Sequence, residues 1–140
     1  MITTIELQTS GEQFYEITDQ VKMSLNKLLK DSNSKSGVLT LFITHTSCGL
    51  TINESYDPAA KNDMENFLKH LAPRNLNFIT HTEEGPDDSP SHMKTMLINQ
   101  NLSFIVESEE LLLGTWQGIY LCEFRDSPKT RKILVKFQAD

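Results

Sequence analysis

The chain has 140 residues, 38% hydrophobic and 23% charged, which fits one globular domain over residues 1–140 and excludes disorder. No apolar run approaches the ~20 residues that a membrane-spanning helix needs. The net charge of -6, with no basic stripe, argues against a nucleic-acid duplex or an anionic membrane as partner.

Ile2 to Thr9 alternates apolar and polar residues and reads as a strand. Thr18 is placed to cap a helix whose buried face is Val21, Leu25, Leu28 and Leu29, ending in the Ser/Asn/Gly-rich stretch 31–37. Val38 to Thr44 is β-branched and apolar, the profile of a well-buried strand. Asp57-Pro58 opens a second helix with Met64, Phe67, Leu68 and Leu71 inward. Asn77 to His81 reads as a short strand, followed by an acidic loop, Glu83 to Asp88. Ser89-Pro90 repeats the cap-then-proline signal for a third helix to about Ile98, which places His92 in its first turn.

Four further strands are expected over 102–107, 110–113, 119–124 and 131–137, with Ser127-Pro128-Lys129 as a hairpin turn. Mixed strands and helices followed by a run of strands predict an α+β fold of mostly antiparallel packed sheets with about three flanking helices. The start, MITTIELQTS, has neither the charged nor the apolar region of a signal peptide. The two distant cysteines have no CxxC spacing, so a reduced, cytoplasmic chain is expected.

The chemistry-bearing residues gather at element ends. His45 closes a strand and opens the small-residue segment Thr46-Ser47-Cys48-Gly49. His81 precedes the acidic loop, and His70 sits at the C-terminus of the second helix, where a surface imidazole meets the negative end of the dipole. His45, His81 and His92 suit a three-histidine metal site with an open fourth position, although their separations match no compact ligand motif and each alone is more often a hydrogen-bonded structural residue than a ligand. Asp87 and Asp88 either orient such ligands or belong to a solvated turn. Glu54 is the acid/base candidate or a plain loop carboxylate. Cys48 reads as a small buried thiol before it reads as a nucleophile. Trp116, the only tryptophan, stands between two glycines and either walls a ligand pocket or packs in a turn.

Three long segments together resemble the YjbQ family, often labelled secondary thiamine-phosphate synthase: His45 through Glu54, His81 with Glu84-Gly85-Pro86-Asp87-Asp88 and His92-Met93-Lys94, and Gly114 through Glu123. The resemblance spans nearly the whole chain and implies a compact α+β fold, a homotrimer, and a metal-like site on His45, His81 and His92. It implies the joining of a pyrimidine-methyl diphosphate to a thiazole phosphate with release of pyrophosphate. Such chemistry asks for charge stabilisation on the leaving diphosphate, with Lys94, Arg125, Lys129, Arg131 and Lys132 as phosphate partners.

The expected assignment is therefore a metal-dependent enzyme on a small phosphorylated substrate. Three histidines favour Zn²⁺, with Mg²⁺ the alternative for a diphosphate. Glu54, Asp87 and Asp88 serve or support catalysis, and Asn53, Lys94, Trp116, Gln117 and Arg131 contact substrate. Two competing functions remain open: a zinc-dependent hydrolase, and a non-catalytic trimeric protein that binds metal or a small anion.

Overall fold

The computed structural model describes residues 1–140. The strands are β1 (Ile2–Thr9), β2 (Gln13–Glu16), β3 (Gly37–Ile43), β4 (Cys48–Glu54), β5 (Asn101–Glu107), β6 (Glu110–Leu111), β7 (Gln117–Glu123) and β8 (Lys129–Ala139). The helices are α1 (Thr18–Leu29), α2 (Pro58–Leu71) and α3 (Asp88–Thr95). Two antiparallel sheets form, a five-stranded one ordered β1-β8-β3-β5-β6 and a three-stranded one ordered β2-β7-β4. The α+β expectation holds.

The larger core lies between the sheets. Leu39, Leu41, Ile133 and Val135 of the large sheet meet Leu50, Ile119 and Leu121 of the small one, and α1 adds Val21, Leu25, Leu28 and Leu29. A second cluster, Phe14, Leu68, Tyr120, Cys122 and Phe124, fills the other face of the small sheet under α2. The small sheet is thus covered on both sides, which is why β7 reads as a continuous apolar run. The large sheet buries one face only and alternates.

Several local expectations are corrected. Ile17, not Thr18, is the N-cap of α1; the Thr18 hydroxyl instead donates to Glu16 and accepts the Ile119 amide. β2 has only four residues, too few for an alternation to show. Within β3, Val38 and Phe42 face outward, because the large sheet is one-sided rather than buried on both faces. On α2 only Leu68 is buried, while Phe67 and Leu71 are exposed. Asp57 does cap α2, accepting from the Ala59 amide. Residues 77–81 join no sheet, and Phe78 points to solvent. Ser127-Pro128-Lys129 is not a hairpin turn, since β7 lies in the small sheet and β8 in the large one. The chain crosses between sheets there, as it does again between β3 and β4. These two crossings meet beside α3 and build the site.

Candidate metal centre

The β3–β4 crossing carries His45, Thr46 and Ser47. The β7–β8 crossing carries Arg125 and Asp126. α3 is drawn against β4 by reciprocal backbone bonds between Leu50 and Asn99. That approach requires Gly49, because a Cβ there would come within 2.4 Å of the Ile98 side chain.

α3 begins at Asp88, one residue before the Ser-Pro signal, so His92 stands one turn in rather than in the first turn. Asp88 and His92 are four residues apart and share a helix face. The result is a compact donor set: one ligand atom each from His81, Asp88 and His92 lies within 4.8 Å of the others. His81 Nε2 is 2.8 Å and His92 Nε2 is 3.2 Å from the same Asp88 oxygen, Oδ2. Asp88 is buried, and the two imidazoles open to solvent.

Each donor is held from behind. His92 Nδ1 donates to the Thr46 carbonyl at 2.7 Å, and since a carbonyl only accepts, Nδ1 carries hydrogen and Nε2 faces the cluster. Arg125 donates through Nη1 to Asp88 Oδ1 at 2.8 Å, leaving Oδ2 to the histidines. The same guanidinium donates to Asp87 Oδ2 and to the Glu84 carbonyl. Burial alone would raise the Asp88 pKa, but its bond to His81 and the charges of His92 and Arg125 outweigh burial and hold it below the ordinary carboxylate range. Asp88 is therefore a ready anionic donor.

Beneath the cluster lies a buried ion pair. Arg131 Nε donates to Glu123 Oε2 at 2.7 Å, and Nη2 donates to Glu123 Oε1 and to Ser47 Oγ. Thr9 Oγ1 donates to Glu123, and so does the Arg125 amide. The pair thus braces the segment whose Thr46 carbonyl fixes His92.

Two histidines and a carboxylate suit a catalytic Zn²⁺ with open positions, and equally a non-haem Fe²⁺ centre. His45, His81 and His92 line one open cleft of about 650 Å³ together with Thr46, Ser89, Thr95, Met96 and Gln100. His45 stands outside the compact donor set: its Nε2 accepts the Lys132 amide at 3.0 Å.

The other residues singled out from sequence are placed elsewhere. Glu54 pairs with Gln117 at the far end of β4, six residues and about 20 Å from Cys48 at the end nearer the histidines. Glu54 accepts the Asp57 amide at 3.0 Å, Asn53 Oδ1 accepts the Glu54 amide, and Gln117 Oε1 accepts the Gly114 amide. Trp116 packs edge-on against Tyr56 at 4.8 Å. Lys94 is 2% exposed, paired with Glu12 at 2.7 Å and set over the Phe124 ring. Arg131 is buried against Glu123. Cys48 is pushed up to about 12, first by burial, so it is a packed thiol rather than a nucleophile.

Sequence reasoning gave Asp88 a supporting role, whereas here it offers a donor atom directly; its spacing to His92 was the available signal. Arg125, expected as a phosphate partner, is paired with carboxylates, and nothing in the linear order of residues pairs it with Asp88.

An acid limb of stability follows. Burial raises Asp87, but the Asp126 amide and Arg125 outweigh it and lower its pKa. Asp126 is lowered chiefly by its hydrogen bond from Arg74. A carboxylate with a depressed folded pKa contributes fully above its unfolded value near 4 and loses that contribution as the pH falls through the folded value. Thermal melts of metal-free protein should show Tm falling below about pH 4, with a shallower fall in Asp87→Asn, which lacks the titrating group. An equal slope in the variant would contradict this origin.

An antiparallel two-sheet α+β domain with an open His/Asp/His cleft between its inter-sheet crossings defines the class. The chain belongs to the YjbQ/UPF0047 family, since a family profile described as "UPF0047 protein YjbQ-like" matches residues 3–140. The UPF0047 protein of Methanocaldococcus jannaschii is 39% identical, covering 100% of this chain and 96% of that one. The UPF0047 protein YjbQ of Escherichia coli O157:H7 is 36% identical, covering 98% and 96%. A crystal structure of a YjbQ/UPF0047-family protein from Clostridium acetobutylicum, described as uncharacterized, superposes with a TM-score of 0.85 at 35% identity, covering 97% of this chain and 99% of that one.

Proposed function

We propose that this chain is a metal-dependent enzyme whose ion is held by His81, Asp88 and His92 and whose small substrate enters the cleft beside them. The observation that carries this reading is the convergence of three donor atoms within 4.8 Å on the wall of an open cleft. When bound, a divalent ion supplies Lewis-acid charge for a substrate oxygen or lowers the pKa of a water.

The chain's own residues do the rest. Asp88 brings the negative charge, Arg125 aims its oxygen, and the Thr46 carbonyl fixes the His92 tautomer. The specific reaction we assign first resembles that of secondary thiamine-phosphate synthase: hydroxymethylpyrimidine diphosphate joins thiazole phosphate and pyrophosphate leaves. Zn²⁺ fits the donor set, with Mg²⁺ the alternative for a diphosphate.

One observation favours a second reading, metal-dependent hydrolysis of a small substrate. No lysine or arginine lines the cleft, and Lys94, Arg125 and Arg131 are each paired with a carboxylate. A diphosphate would have to be neutralised by the metal or by a neighbouring subunit.

A homotrimer belongs to the reading as well. It is supported by the outward apolar residues Val38, Phe42, Ile105 and Leu134, which pair across β3, β5 and β8 on one face of the large sheet.

Elemental analysis of untagged protein tests the proposal. We expect one transition-metal ion per chain in wild type and none in His81→Ala, with turnover of the thiamine precursors or of a phosphate-ester panel lost on chelation. Wild type that holds no metal after incubation with Zn²⁺ and dialysis would sink the metal reading. Metal without turnover would leave the non-catalytic binding protein.

A further inference from the structure

We propose that His45 is not a third metal ligand but a neutral hydrogen-bond donor, which presents its Nδ1–H to an oxyanion of the substrate in the cleft. The inference rests on the metal-site reading only for where that oxyanion sits; the state of His45 stands on the fold itself.

The reason begins with strand length. The last β3–β8 pair is Ile43 with Ile133, so the Lys132 amide lies just past the end of β3 with no ladder partner on that side. His45, two residues beyond the strand, fills the gap: its Nε2 is 3.0 Å from the Lys132 nitrogen. A backbone N–H only donates, so Nε2 must offer its lone pair. A flipped ring would set a C–H against that amide, so the bond fixes the ring orientation as well.

An imidazole whose Nε2 lone pair is spent has one proton left to place, and in the neutral ring it is on Nδ1. Such a nitrogen has no lone pair for a metal. To ligate through Nδ1, His45 would have to become imidazolate; to ligate through Nε2, it would have to abandon the Lys132 amide. Burial, followed by the Arg131 charge, also lowers its pKa, which disfavours the doubly protonated ring.

Nδ1 has no partner inside the protein, and no buried side-chain nitrogen or oxygen is left unsatisfied, so Nδ1 reaches solvent. His45 lines the same cleft as His81 and His92. A preorganised donor beside a cation is the arrangement that stabilises developing negative charge on an oxygen. The ligand class is therefore a metal-bound oxyanion such as phosphate or a tetrahedral carboxyl derivative.

Long-range ¹H–¹⁵N correlation spectra of labelled protein read the tautomer directly. We expect His45 to show a protonated Nδ1 and an unprotonated Nε2 with and without Zn²⁺. Metal titrations against a chromophoric chelator complete the test. His45→Asn, whose side-chain amide reproduces a donor near Nδ1, should keep one Zn²⁺ per chain with affinity within about threefold of wild type. His45→Ala should keep the metal but bind inorganic phosphate about tenfold more weakly, the scale of a hydrogen bond to a charged group, and Asn should restore much of it.

An Nε2–H tautomer overturns the assignment. So does loss of Zn²⁺ from His45→Asn as complete as from His81→Ala, or unchanged phosphate affinity in His45→Ala. Should wild type bind no metal, the metal reading fails while the tautomer measurement still decides the state of His45.

Discussion

Glu123→Ala is expected to destabilise the fold by about 3–5 kcal/mol, because it leaves a buried guanidinium unpaired. Glu123 is fully buried and Arg131 nearly so, and the carboxylate also accepts from Thr9 Oγ1 and the Arg125 amide. Four donors, Thr9 Oγ1, the Arg125 amide, and Arg131 Nε and Nη2, converge on this one buried carboxylate. The double variant Glu123→Leu with Arg131→Met removes both charges and fills similar volume, so it should recover much of the loss. Urea denaturation of the single and double variants measures this. A Glu123→Ala midpoint within error of wild type would show that the pair contributes nothing to stability. The double variant separates stability from function: it keeps the core but frees Ser47, loosening the segment whose Thr46 carbonyl holds His92, so its metal affinity should remain impaired.

That pair also illustrates what a linear sequence can and cannot convey. The fold class was legible because its signals are local. The alternation of β1 and β8, the Asp57-Pro58 cap and the spacing of Val21, Leu25, Leu28 and Leu29 each declare an element without reference to the rest. Sheet membership was not legible. Ser127-Pro128 reads as a hairpin turn, yet the strands on either side belong to different sheets, a choice set by the two-layer packing. Phe67 and Leu71 share the helical spacing of Leu68 but stay exposed, while Leu68 is buried in the second cluster and Met64 packs against it only in part.

The site divides along the same line. His81 and His92 were readable as candidates because of residue type and position at element ends. The sequence offers Arg131 as a substrate contact, and its partner Glu123 is invisible there because it lies in the other sheet across a crossing. Asn53 and Glu54 share one continuous segment with His45, and Trp116 and Gln117 belong to a separate segment that meets the far end of the same strand. An extended strand separates all four from the histidines in space, with β4 carrying one motif from the histidine end to the tryptophan end.

Asp88 carries the second large effect, and the choice of substitute makes it informative. In Asp88→Asn the carbonyl oxygen still accepts from Arg125 Nη1, and the amide NH₂ points toward His81 and His92. That amide can donate to imidazole lone pairs, so the metal-free variant stays hydrogen-bonded and loses only the stabilising charge, and its Tm should fall less than that of Asp88→Ala. It offers a metal neither charge nor a lone pair, and Zn²⁺ affinity should fall by at least the ~10–100-fold seen when even outer-shell partners are lost. Asp88→Ala should lose the metal equally but also destabilise the metal-free fold, by about 1–3 kcal/mol, because Arg125 then lacks one buried acceptor. Arg125→Met should leave every donor in place yet weaken binding about 10–100-fold, since nothing then holds Asp88 Oδ2 toward the histidines. Chelator competition and thermal melts on the three variants give six values. Wild-type affinity in Asp88→Asn would remove Asp88 from the donor set and return the site to its histidines. Wild-type affinity in Arg125→Met would mean that helix α3 alone aims the carboxylate, through the fixed i,i+4 geometry it shares with His92.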